Sequence, residues 1–179
     1  MYTAVSDIIQ TLRISDSLTI GEILHSKGLY SNLHSARVNA QKALNNLADL
    51  GKIEKCKGYY RTPDCKSEYK EHARLLTKSL SKILICSNAV IHREITIPDI
   101  GLRPDTIALL KKAGQGACFV LEVVNNESEI YLQSKINAWK NWQGSLPFLS
   151  RLFGYSIPYF DLITSDQLET YLEDLCAKF

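Results

Sequence analysis

The stretch from Leu102 to Val124 constrains the fold more than any other part of the chain. It holds two apolar runs joined by the segment Lys-Lys-Ala-Gly-Gln-Gly, an arrangement that predicts a β-hairpin. The second run, Ala117–Val124, is continuously apolar apart from Glu122. Because a strand that is covered on both faces shows such a continuous pattern, we expect this run to be a central strand.

Two carboxylates mark this predicted hairpin. Glu122 lies inside the buried strand, and Asp105 opens the partner strand directly after Pro104, a residue that suits a strand start. A carboxylate in a buried strand is costly unless it is paired, protonated or bound to a metal. Since hard cations prefer oxygen ligands, Asp105 and Glu122 predict a site for a divalent cation, Mg²⁺ or Mn²⁺.

The residues around these carboxylates resemble a known pattern. Pro104-Asp105 followed by an acid in a hydrophobic strand is similar to the motif of the PD-(D/E)XK nucleases. The fuller pattern, Leu-Arg-Pro-Asp and then Phe-Val-Leu-Glu-Val, resembles the replication-relaxation family of plasmid and phage proteins. The resemblance implies a nuclease-like domain with Asp105 and Glu122 as its catalytic acids. Active nucleases of that fold carry lysine two residues after the second acid, where this chain has Val124.

Lys135 is the candidate replacement for that lysine. A helix is predicted from about residue 128 to 142, with Leu132, Ile136 and Trp139 as its apolar stripe. At about 100° per residue, Lys135 lies about 60° from the middle of the stripe and therefore near the sheet. The resemblance implies that this helix can bring a basic side chain to the site, so Lys135 is the third candidate catalytic residue. The alternative is a lysine that covers the edge of the core with its ammonium group in water.

The first third of the chain is basic. Residues 1–66 contain nine Lys/Arg and six Asp/Glu, whereas residues 67–179 contain 12 and 13. Six of the nine basic residues lie in Leu33–Arg61, together with two acidic ones. Such a cluster on a small module is typical of a nucleic-acid-binding protein, although a solvated surface would have the same composition.

The same segment predicts a winged helix-turn-helix. Helical periodicity indicates helices at about Thr3–Ile14, Thr19–Gly28 and Ser35–Leu50. Lys52–Arg61 then predicts a hairpin with Lys57-Gly58 in its turn. This hairpin is the predicted wing. Three helices followed by a basic hairpin, together with the sequence Leu-Ala-Asp-Leu-Gly-Lys-Ile-Glu-Lys, resemble bacterial winged-helix proteins.

This prediction assigns two sets of DNA contacts. The third helix would enter the major groove, where side chains with donors and acceptors read base edges. The wing would contact phosphates, which fix the register without reading sequence. The candidate base-reading residues are Arg37, Asn39, Gln41 and Lys42, and the candidate phosphate-binding residues are Lys55, Lys57 and Arg61.

The predicted organisation is therefore an α+β or α/β protein of two domains. Residues 1–66 form the winged helix, and residues 67–179 form a restriction-endonuclease-like α/β/α domain. The second domain is predicted to contain helix, strands, helix, strand and helix in that order, which is typical of three-layered α/β/α folds. Pro147 is expected to end the helix predicted at about residues 128–142, and the last strand is expected at Tyr155–Ile163.

Other classes of protein are disfavoured. The five cysteines are scattered and fit neither a zinc site nor a disulfide framework, so a reducing, cytoplasmic compartment is expected. No apolar run reaches the roughly 20 residues that cross a bilayer, and no signal peptide is recognisable, so no membrane partner is expected. Phosphate-loop, nucleophile-elbow and dinucleotide-binding motifs are also missing from the sequence.

Three functions remain. The first is a double-stranded DNA-binding protein of a mobile element, acting in plasmid or phage replication, mobilisation or transcription control, with a nuclease-like domain that no longer cuts. A relaxase or replication protein would be its partner, and a homodimer is left open because winged-helix proteins often read two half-sites. The second is a metal-dependent DNA endonuclease that uses Asp105, Glu122 and Lys135. The third is a protein-interaction adaptor. Val124 in the lysine position favours the first.

Overall fold

The computed structural model describes residues 2–65, 70–112, 115–125 and 128–178. The protein is a mixed α+β chain with two sheets, and it divides into two compact units, Met1–Cys86 and Ser87–Phe179. None of the described helices has the length and apolar character needed to cross a membrane. The predicted boundary after residue 66 lies inside the first unit.

The first unit contains four described helices and a small sheet. Its elements in chain order are α1 (Tyr2–Leu12), β1 (Ile14–Ser15), α2 (Ser17–Ser26), α3 (Leu33–Asp49), β2 (Glu54–Cys56), β3 (Tyr59–Arg61) and α4 (Lys70–Cys86). The three predicted helices and the hairpin are confirmed, with shifted ends. The two-residue strand β1 was not predicted.

Two side chains set the beginnings of α2 and α3. Asp16 caps α2 by accepting a hydrogen bond from the Thr19 backbone N–H at 2.8 Å, so this helix begins at Ser17, before the predicted start at Thr19. Asn32 caps α3 by accepting from the Ser35 N–H at 2.8 Å. Each cap satisfies a donor that a helix start leaves unpaired.

The small sheet joins the β2–β3 hairpin to β1 near the start of the chain. Its order is β1–β3–β2, and both pairings are antiparallel. Ile14 pairs with Arg61, and Cys56 pairs with Tyr59 across the turn at Lys57-Gly58. Gly58 has φ of 82°, a left-handed conformation that glycine adopts without a steric penalty.

The helix α4 belongs to the first unit because it packs on α1, β1 and α2. The Thr77 hydroxyl lies 2.8 Å from the Ile14 carbonyl oxygen and 3.0 Å from that of Leu12. Leu76, Leu80 and Ile83 on the same helix are fully buried. These contacts explain why the unit ends after α4, about 20 residues later than the predicted boundary.

The second unit is built on a four-stranded sheet. Its elements are β4 (Asn88–Arg93), β5 (Thr106–Lys112), β6 (Gln115–Glu122), α5 (Glu129–Asn141), α6 (Ser145–Phe153), β7 (Asp161–Thr164) and α7 (Leu168–Lys178). The strand order is β4–β5–β6–β7; the first two pairings are antiparallel, and β6 pairs with β7 in parallel. The predicted hairpin and the central position of β6 are confirmed, whereas residues 113–114 of its predicted turn lie outside the described residues.

Helices cover both faces of the β5–β6 pair. On one face Phe119 packs edge-to-face against Tyr171 of α7, with ring centroids 5.3 Å apart. The other face packs against α5 and α6 in a cluster that includes Ile107, Leu109, Cys118, Val120, Trp139 and Leu149. The strand β6 is therefore buried on both sides, which accounts for its continuous apolar sequence.

The last third of the chain differs from the prediction in two places. Pro147 was expected to end a helix, but it lies in the first turn of α6, where its missing N–H costs no helical hydrogen bond. The strand predicted from Tyr155 to Ile163 is confined to Asp161–Thr164. Residues 156–160, which include Pro158, have no regular structure.

Candidate functional site

Glu122 and Lys135 form a buried ion pair in the second unit. Lys135 Nζ donates to Glu122 Oε2 at 3.1 Å, and the two side chains are only 12% and 5% exposed. The carboxylate is carried by the end of β6 and the ammonium by α5. Because both charges are buried, each loses hydration free energy, and the attraction between the two charges offsets this desolvation cost.

Asp105 lies beside this pair. Thr106 pairs with Leu121, so the antiparallel register continued by one residue places Asp105 opposite Glu122. Residues opposite one another project to the same face of a sheet. Asp105 Oδ2 also accepts a hydrogen bond from the Val123 N–H at 2.7 Å, which holds the two strand ends together. The three candidate catalytic residues are thus gathered at one end of the β5–β6 hairpin.

The surroundings of this acidic cluster are polar on one side and aromatic on the other. Lys135 Nζ lies 4.9 Å from the centroid of the Tyr131 ring, within the range of a cation–π contact. On the neighbouring strand, Thr164 pairs with Glu122, and the Ser165 N–H donates to the Glu122 carbonyl oxygen at 2.9 Å. Within the described ranges, no group of three or more histidine, cysteine or acidic residues is arranged to hold a metal.

The two carboxylates nevertheless match magnesium in chemical type. Mg²⁺ is commonly held by one or two carboxylates, with the remaining positions taken by water and substrate phosphates. Asp105 and Glu122 would be these ligands. Val124, where the resembling nucleases have lysine, is half-buried, and its backbone N–H donates to Ser165 Oγ at 3.1 Å. The only ammonium described at the cluster is that of Lys135.

Among the predicted base-reading residues of α3, one has an exposed side chain and the others make hydrogen bonds within the first unit. The exposed one is Lys42. Arg37 is held by Glu22 of α2 at 2.7 Å, and Asn39 Nδ2 donates to the Ser35 carbonyl oxygen at 2.9 Å. The side chains of Arg37 and Asn39 are therefore already bound within the first unit.

Gln41 faces the wing. Its amide donates to the Tyr60 hydroxyl and lies 3.4 Å from Asn45 Oδ1. The Tyr60 hydroxyl in turn donates to Asn45 Oδ1 at 2.7 Å. Gln41 is therefore part of a hydrogen-bonded link between α3 and β3.

The predicted phosphate-binding residues are spread along the wing. Lys57 is exposed in the turn, and Lys55 is exposed with its Nζ 2.9 Å from Asn45 Oδ1. Arg61 forms an ion pair with Glu54 on the adjacent strand. The hydrogen bond with Glu54 raises the pKa of Arg61. Lys55 and Lys57 thus present their charge to solvent, whereas the charge of Arg61 is partly neutralised.

Two exposed residues of α3 were missed as candidates. The apolar pattern of the third helix predicts that Val38 faces inward, but it is 38% exposed, and His34 is exposed one turn before it. His34, Val38 and Lys42 recur at intervals of four residues, so they lie on one face of the helix. That four-residue spacing was the signal that could have identified this exposed face. The signal is weak because the buried face of α3 is formed largely by small residues, namely Ala36, Ala40 and Ala43.

Comparison of the chain with family models, with curated proteins and with solved structures gives no match.

Proposed function

We propose that this protein binds double-stranded DNA through its first unit. The observation that carries the proposal is the order of elements, three helices with a short strand after the first, then a hairpin, in a sheet ordered β1–β3–β2. In this arrangement the exposed face of α3 lies on the same unit as a wing with two exposed lysines. An exposed helix and a basic ribbon are the two elements with which such modules enter a groove and hold the backbone.

The proposed contacts are made by side chains that are exposed on α3 and on the β2–β3 hairpin. Lys42 is the cation that α3 presents to the groove, and the methyl groups of Val38 suit apolar contact with thymine. Lys55 and Lys57 would bind phosphates on either side of that groove. Arg37 and Gln41 support these elements from within the unit, by their contacts with α2 and β3.

DNA binding through these lysines should depend steeply on salt. Each phosphate contact adds close to one to the slope of log affinity against log salt, so Lys57→Gln should lower that slope by about 1. Fluorescence anisotropy of a labelled 20-base-pair duplex over a salt series measures it. Lys52→Gln removes an exposed lysine that lies before the observed β2–β3 hairpin and should leave the slope unchanged. Affinity that hardly changes with salt would favour the protein-interaction adaptor instead.

For the second unit we propose a nuclease-like domain that does not cut DNA. Its support is the chain order of three antiparallel strands, two helices, a parallel strand and a last helix, with Asp105, Glu122 and Lys135 gathered at one end of the β5–β6 hairpin. The position that carries lysine in the resembling nucleases is Val124. We place the DNA-binding role in plasmid or phage replication, mobilisation or transcription control, with a relaxase or replication protein as partner.

A working endonuclease is the second candidate, and the gathering of those three side chains is the observation that favours it. A Mg²⁺ ion held by Asp105 and Glu122 would supply charge stabilisation at the scissile phosphate. Lys135 would orient the attacking water through its position beside Glu122. In our proposal the same ammonium serves only to neutralise the buried carboxylate.

Supercoiled plasmid separates the two candidates. With Mg²⁺ or Mn²⁺ in the buffer, we expect no more nicked circles from the wild-type protein than from Asp105→Asn. Asparagine keeps an oxygen that accepts from the Val123 N–H, so this variant should retain the fold while losing a metal ligand. Nicking by the wild type that disappears in Asp105→Asn would establish the endonuclease.

A further inference from the structure

A cleft of about 370 Å³ opens in the first unit between the wing and α4. Its walls come from β1, the start of α2, the turn between β2 and β3, and one face of α4. Three cations line it, Lys57 from the wing turn and Arg74 and Lys78 from α4. The DNA contacts proposed above do not involve α4, so the cleft is a separate candidate binding site.

The charge of the cleft is strongly unbalanced. Lys57, Arg74 and Lys78 are all exposed, and none of them is ion-paired to a carboxylate within the described ranges. Among the described residues of the walls the only carboxylate is that of Asp16, whose Oδ1 already accepts the Thr19 N–H at the start of α2. Three like charges converging on one concavity repel one another, and an anion bound between them would remove that repulsion.

The geometry of α4 holds two of the cations in place. The Arg74 guanidinium carbon lies 5.2 Å from the centroid of the Tyr59 ring, which orients the guanidinium at the rim of the cleft. Lys78 lies one turn further along the same face of α4. The hydrogen bonds of Thr77 to the carbonyls of Leu12 and Ile14 fix this helix against β1. The spacing of the basic groups is therefore built into the unit.

A hydroxyl group in the wall of the cleft has no partner. Ser15 has a relative exposure of only 6%, and its Oγ makes no hydrogen bond with the described residues. A buried hydroxyl without a partner costs free energy that a bound acceptor would recover. The first turn of α2, which follows directly, adds the partial positive charge of a helix start.

We propose that this cleft binds a phosphate group. Arg74 would provide the planar, two-pronged donor that matches phosphate oxygens, and Lys57 and Lys78 would provide further charge. The phosphate comes either from the DNA backbone or from a free phosphate ester or ion. If the phosphate comes from DNA, the site rests on the proposed DNA binding and adds a contact beyond α3 and the wing. If the phosphate is free, the site does not depend on the proposed DNA binding.

The test uses the full-length protein and two probes, inorganic phosphate and a 20-base-pair duplex. Arg74→Gln and Lys78→Gln remove exposed charges and leave the core untouched, and Lys52→Gln is the charge-matched control outside the cleft. Inorganic phosphate is titrated at constant ionic strength while amide chemical shifts are followed. Duplex binding is followed by anisotropy at several salt concentrations.

Two results support the site and identify its occupant. Saturable shifts in residues 15–19 and 74–78 that the two cleft variants abolish, with unchanged duplex affinity, indicate a free phosphate ligand. A drop in duplex affinity of about fivefold or more and a salt slope lowered by about 1 in each cleft variant indicate a backbone phosphate.

The proposal is overturned if both cleft variants match the wild type and Lys52→Gln with both probes. Duplex binding that depends on Lys42 but not on Arg74 or Lys78, together with phosphate shifts that do not saturate, removes the cleft site and leaves the DNA-binding function intact. Saturable phosphate binding by a protein that fails to bind the duplex supports the cleft site and overturns the proposed DNA binding.

Discussion

Replacing Lys135 with methionine is expected to lower the free energy of unfolding by about 3–5 kcal/mol, because it leaves the Glu122 carboxylate buried without its cation. Both side chains are nearly inaccessible and their charged atoms are 3.1 Å apart, so water cannot substitute for the lost ammonium. Urea denaturation followed by circular dichroism measures the change. Methionine keeps most of the side-chain volume, so a cavity contributes little.

Lys140→Met is the matched control for this experiment. Lys140 lies on the same helix but is exposed, and its loss should change stability by no more than about 0.5 kcal/mol. The double variant Glu122→Gln with Lys135→Met should regain part of the lost stability, because the unpaired charge is then gone. A Lys135→Met protein as stable as Lys140→Met would show that the ion pair has no structural role.

Gly21→Ala is the second change with a large expected effect. A Cβ atom at Gly21 would lie 2.7 Å from Arg37 Cα and 2.9 Å from Arg37 N, distances that real contacts do not show. The helices α2 and α3 would have to separate, and such overpacking costs about 1–3 kcal/mol. This cost exceeds the gain of up to about 1 kcal/mol that alanine normally brings to a helix interior. Thermal unfolding of the two proteins side by side measures it.

The control for Gly21→Ala is Leu18→Ala in the same helix. Leu18 is 55% exposed, so its truncation should change stability by about 0.5 kcal/mol or less. If Gly21→Ala is as stable as the wild type or more so, the close approach of α2 and α3 is not a constraint on the fold.

The parts of the fold that were predictable are those with a local periodic signal. The continuous apolar run of β6 predicted a strand buried on both faces, and the Lys57-Gly58 turn predicted the wing. At the candidate site, the helical angle between Lys135 and the middle of the apolar stripe of α5 predicted its position near the sheet. In each case the residues themselves carry the pattern that decides their environment.

The parts that were not predictable depend on distant partners. The strand β1 has two residues and exists because Ile14 and Ser15 pair with β3, almost 50 positions later. No periodicity can be recognised in so short an element. The assignment of α4 to the first unit likewise depends on the contact of Thr77 with Leu12 and Ile14, which no local pattern of α4 encodes.

Side-chain direction on α3 was the hardest feature to predict. Val38 is exposed although it is apolar, because it lies on the helix face opposite the buried Ala36, Ala40 and Ala43. Gln41 has the donors of a base-reading residue, but the Tyr60 hydroxyl takes up its amide. Composition identifies which groups can hydrogen-bond, whereas tertiary packing decides which of them stay available to a ligand.

The link from Gln41 through Tyr60 and Asn45 to Lys55 has a thermodynamic consequence. It ties α3 to the β2–β3 hairpin before any ligand arrives. A surface whose parts are already immobilised loses less conformational entropy on association. Complex formation by the first unit should therefore resemble the docking of a rigid body, with the spacing between helix and ribbon set in advance.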